Sequence, residues 1–287
     1  MTIQIILDGG ADVPSEMLND EALIFIPMEV QMDGETLPPH IEIDTFYKML
    51  REGKKPTTSS LSPYAYMEAF KKADAHDLVV LAISSGISGT YQHALLAKTQ
   101  YEALMQQGEV PDKHILVLDT KTASVGMTLL ADRALQWMRE GLHLEALSER
   151  LRSMIQRTYT TFYFDSVDML IRGGRLDRLK GAVASFLNIK LIMHEVEGKI
   201  EVREKVRGSA QALKRFVEHI GTHVRHFDQK VLAVAHAHCE ERARALIQEI
   251  TDRYPFSRIL LTEIGPVIGS HTGEGGFVLA YETDTSL

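Results

Sequence analysis

At 287 residues and 45% hydrophobic content, the chain is long enough to bury a sizeable core, and two modest domains are expected. A formal charge of -8 and a pI near 5.8 argue against a nucleic-acid or anionic-membrane binder, which needs a net basic surface or a concentrated basic stripe. A single cysteine, Cys239, excludes an intrachain disulfide and a thiolate-rich metal site, and it fits a reducing compartment.

The opening Met1-Thr2-Ile3-Gln4-Ile5-Ile6-Leu7 runs into a predicted buried strand without the basic start and long apolar segment of a secretory signal, so a cytoplasmic protein is expected. Apolar runs at Ile3 to Leu7, Leu23 to Ile26, Leu78 to Ile83 and Ile115 to Leu118 alternate with helix-period segments, the pattern of a largely parallel sheet covered by helices. Leu78 to Ile83, the longest of these runs, falls far short of the roughly 20 residues that span a bilayer. Between the first elements, Met28 to Leu37 with Asp33-Gly34 reads as a hairpin. Asp44 is placed as the N-cap of a helix over Thr45 to Arg51, and Ser62 followed by Pro63 starts another.

Helical periodicity continues over Ser124 to Trp137 and Leu144 to Ile155, with Gly141 as the break. The pattern then changes. Thr160 to Phe164 is β-rich, and Ile189 to Val196 and Lys199 to Val206 flank Glu197-Gly198 as a hairpin. Amphipathic helices follow near Ser209 to Val224 and Glu240 to Tyr254. A domain boundary is expected near Arg157, dividing the chain into 1–157 and 158–287, with a ligand between the two parts.

Three separated stretches are rich in hydroxyls and glycine and carry no lysine: Thr57 to Pro63, Ser84 to Gln92, and Gly265 to Gly273. Such loops suit a small anion held by neutral hydrogen bonds and poorly suit activation of a nucleophile. The second stretch follows a predicted strand and precedes a helical pattern, the junction where open α/β sheets bind ligands. Ser88 there either caps the helix or meets a ligand. Thr58 and Ser59 are explained equally by turn chemistry. In the third stretch, the glycines around His271 point to a loop with unusual backbone freedom, and the histidine is either structural or a donor to a carboxylate. A nucleophile elbow, a phosphate loop ending in Lys-Ser or Lys-Thr, and a dinucleotide fingerprint are all missing from the sequence.

Taken together and in order, these motifs resemble the DegV family. Thr57-Thr58-Ser59-Ser60-Leu61-Ser62-Pro63 corresponds to the family's Thr-Thr-Ser-Gln-Pro-Ser-Pro, and Ser84 to Tyr91 to its Ser-Ser-x-x-Ser-Gly-Thr-Tyr. Arg172-Gly173-Gly174-Arg175-Leu176, Lys205-Val206-Arg207 and Gly269-Ser270-His271-Thr272-Gly273 match its Gly-Gly-Arg segment, basic strand end and C-terminal loop. Departures fall at Leu7-Asp8-Gly9 for Thr-Asp-Ser, at Ser60-Leu61 for Gln-Pro, and at Glu274 for a proline.

The resemblance implies an α/β, two-domain architecture: an N-terminal three-layer domain with a mainly parallel sheet and a C-terminal α/β domain with a mixed sheet. It also implies a non-catalytic lipid-binding protein that holds a long-chain fatty acid by its carboxylate and presents it to a partner kinase for acyl phosphate formation. The positions matching the family's carboxylate contacts are Thr58, Ser88 and His271, with Ser59 and Gly89 beside them. The acyl chain is then expected in an apolar tunnel, and no cofactor or metal is implied. Arg172, Arg175, Arg203 and Arg207 become candidates for a partner-docking face, against the alternative of a solvated surface with scattered ion pairs. A competing reading is a small-molecule phosphotransferase or hydrolase using His271. His236, His238 and Cys239 are read as capping and core packing rather than a metal cluster.

Overall fold

The computed structural model describes residues 3–166, 169–170, 189–222 and 224–285. Strands β1 (Ile3–Asp8), β2 (Leu23–Ile26), β6 (Asp77–Ala82) and β7 (His114–Asp119) form a parallel sheet in the order β2-β1-β6-β7. Both faces of this sheet are covered, which is why its strands read as continuous apolar runs. Alternate residues go to opposite sides. Ile6, Leu78 and Val80 pack against α3 (Pro63–Lys72) and α4 (Thr90–Gln106), through Tyr66, Phe70, Ala94 and Tyr101. Ile5, Leu7, Val79 and Leu81 join a second cluster built around α5 (Val125–Arg139).

Helix α5 is buried along most of its length because a second sheet lies against it; α6 (Leu144–Ile155) packs beside α5, and the short α1 (Ser15–Leu18) lies next to β2. That sheet has six strands in the order β10-β9-β8-β13-β11-β12. They are β8 (Thr158–Phe164), β9 (Ile189–Val196), β10 (Lys199–Arg207), β11 (Val231–His236), β12 (Arg258–Glu263) and β13 (Phe277–Glu282). Only β11 and β12 pair in parallel; the other neighbours are antiparallel, so the sheet is mixed. Ala233, Ala235 and Ala280 are fully or almost fully buried on the face toward α5, and their small side chains let helix and sheet approach closely. The opposite face buries Leu232, Val234 and Leu279 with α7 (Ser209–Glu218) and α8 (Glu240–Arg253). All strands of the parallel sheet precede Arg157, and all strands of the mixed sheet follow it.

A three-stranded sheet of order β4-β3-β5 contains β3 (Val30–Met32), β4 (Glu35–Thr36) and β5 (Pro56–Thr58). Its hairpin turns at Asp33 and Gly34, with φ of 52° and 89°, the left-handed pair expected of a two-residue turn. Two readings need correction. Helix α2 spans Ile43–Arg51, so Asp44 lies inside its first turn and Glu42 occupies the N-cap without a side-chain bond. The glycine-rich stretch after Glu263 is not all loop: it contains a short helix, α9 (Pro266–Thr272). Proline at its start is compatible with the first helical turn, which glycine-counting overlooked.

Candidate functional site

Each of the three hydroxyl and glycine stretches is carried by a different sheet. Thr58 ends β5, where pairing of Val30 with Thr58 sets its position. Just beyond it, Ser62 accepts the Ala65 N–H at 3.3 Å and Pro63 opens α3, as the sequence predicts.

Ser88 lies in the loop after β6, which is tied down at several points. Ser84 receives the Ser88 N–H on its carbonyl at 3.1 Å and donates its own N–H to the Thr122 carbonyl at 2.9 Å. Ser85 donates its hydroxyl to Asp119 at 2.5 Å, and the Asp119 carboxyl is held below its ordinary range by hydrogen bonds from Ser85 and Lys121 that outweigh its burial. Ser88 Oγ accepts the Thr90 N–H at 3.3 Å and lies 2.8 Å from Thr90 Oγ1. The capping reading of Ser88 is therefore correct in part, and Gly89 is the N-cap residue of α4.

His271 sits near the end of α9. The helix is seated by Gly269, where an added Cβ would come within 2.8 Å of the Phe46 ring and 3.0 Å of Tyr47 Oη. Tyr47 in turn donates to the Ile264 carbonyl at 3.0 Å, fixing the turn that precedes α9.

These elements converge. Thr58 Oγ1 lies 3.0 Å from His271 Nε2, although 213 residues separate them in the chain. Thr58, Ser59, Ser88 and His271 share one cavity of about 60 Å³ with Ser60 and an apolar interior of Ile83, Ala123, Phe162, Phe164, Leu170, Ile200 and Ile268. Gly89 is adjacent, its added Cβ meeting Ser60 Oγ at 3.3 Å. No described residue lining this cavity carries a carboxylate, ammonium or guanidinium group. Thr58, Ser88 and His271 are half-buried, and Ser59, Ser60 and Gly89 are exposed, so the polar end opens to solvent while the rest reaches between the two large sheets. Hydroxyls and an imidazole N–H there can donate to a carboxylate, and the apolar side chains can cover a hydrocarbon. The cavity is narrower than the tunnel expected from the sequence.

A larger cleft of about 1200 Å³ lies elsewhere and has a different character: it is lined by Asp119, Lys121, Glu195 and Arg203 together with Tyr159 and His194. Burial pushes the Glu195 carboxyl well above its ordinary range. Arg203 packs over the Tyr159 ring, 5.4 Å from its centre, and donates to Thr222 Oγ1 at 3.2 Å, so it is part of a packed cluster. Arg207 is exposed at the end of β10. Arg172 and Arg175 lie outside the described residues.

His236 Nδ1 accepts the Cys239 N–H at 3.3 Å just before α8, and His238 Nδ1 lies 3.0 Å from Glu263 Oε1.

Two buried carboxyls lie outside the set of predicted site residues. Asp8 accepts the Gly10 and Ile83 N–H groups, each at 2.9 Å, and the Tyr66 hydroxyl at 3.1 Å; burial nevertheless pushes its pKa up to about 6. Asp12 accepts the Gly265 N–H at 2.7 Å and the Ser124 hydroxyl at 2.5 Å, with its pKa raised by burial to about 7. Asp12 thus fastens the N-terminal loop to the turn that launches α9. Nothing in local sequence separates these two from surface aspartates.

The family model of the uncharacterised DegV proteins matches residues 2–284. The chain belongs to the DegV family. A DegV domain-containing protein of Clostridium perfringens is 30% identical over 98% of this chain and 97% of its own length. Among solved DegV structures, that of a Ruminococcus gnavus protein with vaccenic acid is 28% identical, superposes with a TM-score of 0.89, and covers 98% of this chain and 99% of its own. A Thermus thermophilus DegV protein described by its fatty acid binding is 26% identical with a TM-score of 0.87, covering 99% of this chain and 100% of its own. The DegV architecture of parallel plus mixed sheets is therefore that of this chain.

Proposed function

We propose that this protein binds a long-chain fatty acid, holding its carboxylate with Thr58, Ser88 and His271, assisted by Ser59 and Gly89 at the rim. The observation that carries this reading is the 3.0 Å approach of Thr58 Oγ1 to His271 Nε2 at the polar mouth of a cavity whose other described lining residues are mostly apolar and carry no charge. Fatty acids held by DegV proteins of the same fold support the ligand class.

The chemistry follows from the lining. A carboxylate entering the mouth accepts from the Thr58 and Ser88 hydroxyls and from His271 in its Nε2–H tautomer, replacing the bond that Thr58 and His271 make with each other. Burial of the chain supplies the affinity, at about 0.8 kcal/mol per methylene before ordering costs. The hydroxyls satisfy a head group that would be costly to bury unpaired. With no cation among the described lining residues to neutralise it, the carboxylate keeps its nucleophilicity toward a phosphoryl donor.

The second part of the proposal is a role for this chain as the non-catalytic subunit of a fatty acid kinase system in the cytoplasm. The partner would then contribute nucleotide and metal. Its support is the resemblance in motif order, the half-buried placement of the three head-group side chains, and the exposed Arg207. Arg172, Arg175 and Arg203 belong to the same proposal, with Arg203 engaged by Tyr159.

Denaturing extraction of the purified protein followed by mass spectrometry tests the ligand. Recovery of a fatty acid is expected; no fatty acid, together with no thermal shift on adding one, rejects the reading.

A further inference from the structure

The cleft of about 1200 Å³ shares no lining residue with the head-group cavity among the described residues. It lies between the edge strand β7, the end of α6 and the β9–β10 hairpin. Small-molecule pockets run to roughly 300–1,000 Å³, so a whole organic molecule fits inside it. Val117, Leu118, Ile155 and Val196 give it an apolar wall.

Its charges do not cancel. Lys121 Nζ pairs with Asp119 at 2.9 Å, and the two neutralise each other. Burial raises the Glu195 carboxyl well above its ordinary range, which favours the neutral acid. Two guanidinium groups, on Arg152 and Arg203, then face one exposed carboxylate, that of Glu197 at the hairpin turn. Arg152, in the last turn of α6, is exposed and has no ion-pair or hydrogen-bond partner among the described residues. A guanidinium so placed matches the oxygens of a carboxylate or phosphate.

Glu195 supplies a second, independent sign. Its Oε2 is buried and has no hydrogen-bond partner, an arrangement that costs stability until something meets it. The terminal torsion of a glutamate turns readily and exchanges its two oxygens, so the neutral acid can offer its O–H to an acceptor in the cleft. Two more such atoms lie behind the same wall: Tyr281 Oη, whose ring centre is 5.5 Å from that of Tyr159, and His219 Nδ1, near Arg203.

We propose that this cleft is a second binding site, for a small organic anion whose carboxylate or phosphate oxygens take hydrogen bonds from Arg152 and Glu195 while its apolar body lies against Val117, Leu118, Ile155 and Val196. The site stands independently of the fatty-acid reading.

The full-length protein is titrated calorimetrically with phenyl phosphate and with benzoate near neutral pH, beside phenol as the uncharged body. At least one of the two anions is expected to bind at a single site about tenfold or more tighter than phenol. Arg152→Met is expected to remove about tenfold of that affinity and to leave octadecanoic acid binding unchanged. Glu195→Gln, whose amide N–H still donates, should retain the anion, and Glu195→Leu should weaken it. Arg152 is exposed, so its variant decides the matter even where Glu195→Leu fails to fold. Binding of neither anion, equal binding of phenol, or an undiminished affinity in Arg152→Met overturns the proposal. Competition between the bound anion and octadecanoic acid also overturns it, since that would place the anion in the head-group cavity.

Discussion

Ser84 donates its hydroxyl to the Gly198 carbonyl at 2.7 Å, pinning the tip of the β9–β10 hairpin against the loop that carries Ser88. The contact is close on both sides: a Cβ on Gly198 would meet Ser84 Oγ at 2.5 Å, and one on Gly86 would meet the Gly198 carbonyl oxygen at 2.3 Å. A strand pair from the mixed sheet therefore sets the height of a loop that belongs to the parallel sheet.

Gly198→Ala is accordingly expected to cost about 1–3 kcal/mol more than Gly34→Ala. Both glycines have positive φ, 77° and 89°, but Gly34 has nothing within 4 Å of an added Cβ. The pair separates dihedral strain from crowding. Urea unfolding of the two variants provides the measurement, and equal losses would show that the hairpin tip has room to move.

Thr58→Val and Ser88→Ala should each weaken fatty-acid binding by about tenfold, the scale of a hydrogen bond to a charged group. Arg207→Glu, on the exposed end of β10, should leave lipid affinity unchanged and reduce partner-dependent phosphorylation. Equilibrium binding with a fluorescent fatty acid, run beside a phosphorylation assay, distinguishes the two groups. Loss of lipid in all three variants would end the division between head-group and docking residues.

Stability should fall as pH rises from the acid side toward neutrality. Burial raises Asp12 from 3.8 to about 7 and Asp8 from 3.8 to about 6, so the folded chain retains protons that the unfolded chain has released. The contribution of each is fully present below the unfolded value and is lost as pH rises through the folded one. In Asp12→Asn the amide oxygen still accepts from Gly265 and the amide N–H can donate to Ser124, so packing is kept while the titration is removed. The difference in urea midpoint between pH 5 and pH 8 should shrink in this variant; a difference as large as in the wild type would show that Asp12 is ionised throughout.

Cys239 should react slowly with thiol reagents in the native protein. Burial pushes its pKa up to about 11, leaving little thiolate near neutral pH. Its modification rate at pH 8 should rise sharply in denaturant. A fast native reaction would mean that the start of α8 opens readily.

The sequence pattern was most legible where one physical signal acted alone. The apolar runs of the parallel sheet, the Asp33-Gly34 turn and the Ser62-Pro63 helix start all appear where expected. The pattern marks β11 only as a strand that hands over to a helix near His236, and it does not single out β12 or β13; in β13, Ala280, packed on the side of α5, weakens the apolar signal. At the proposed site, hydroxyl-rich composition points to Thr58 and Ser88, but turn and capping chemistry use the same residues, and Ser88 Oγ accepts the Thr90 N–H. The meeting of Thr58 with His271 could not be read from spacing, since it depends on β5 pairing with β3 and on α9 resting against Phe46 and Tyr47. Asp8 and Asp12 were illegible for a related reason: their burial is decided by Ile83, Tyr66, Ser124 and Gly265, all far along the chain.

Because Thr58, Ser88 and His271 arrive from three separate sheets, the head-group site proposed for them requires all three sheets to be in place. A fragment ending near Arg157 would contain the two hydroxyls and lack the imidazole. A bound acid would therefore act as a clasp on the complete tertiary structure, favouring it by mass action and leaving partly assembled chains more open to proteases than the loaded protein.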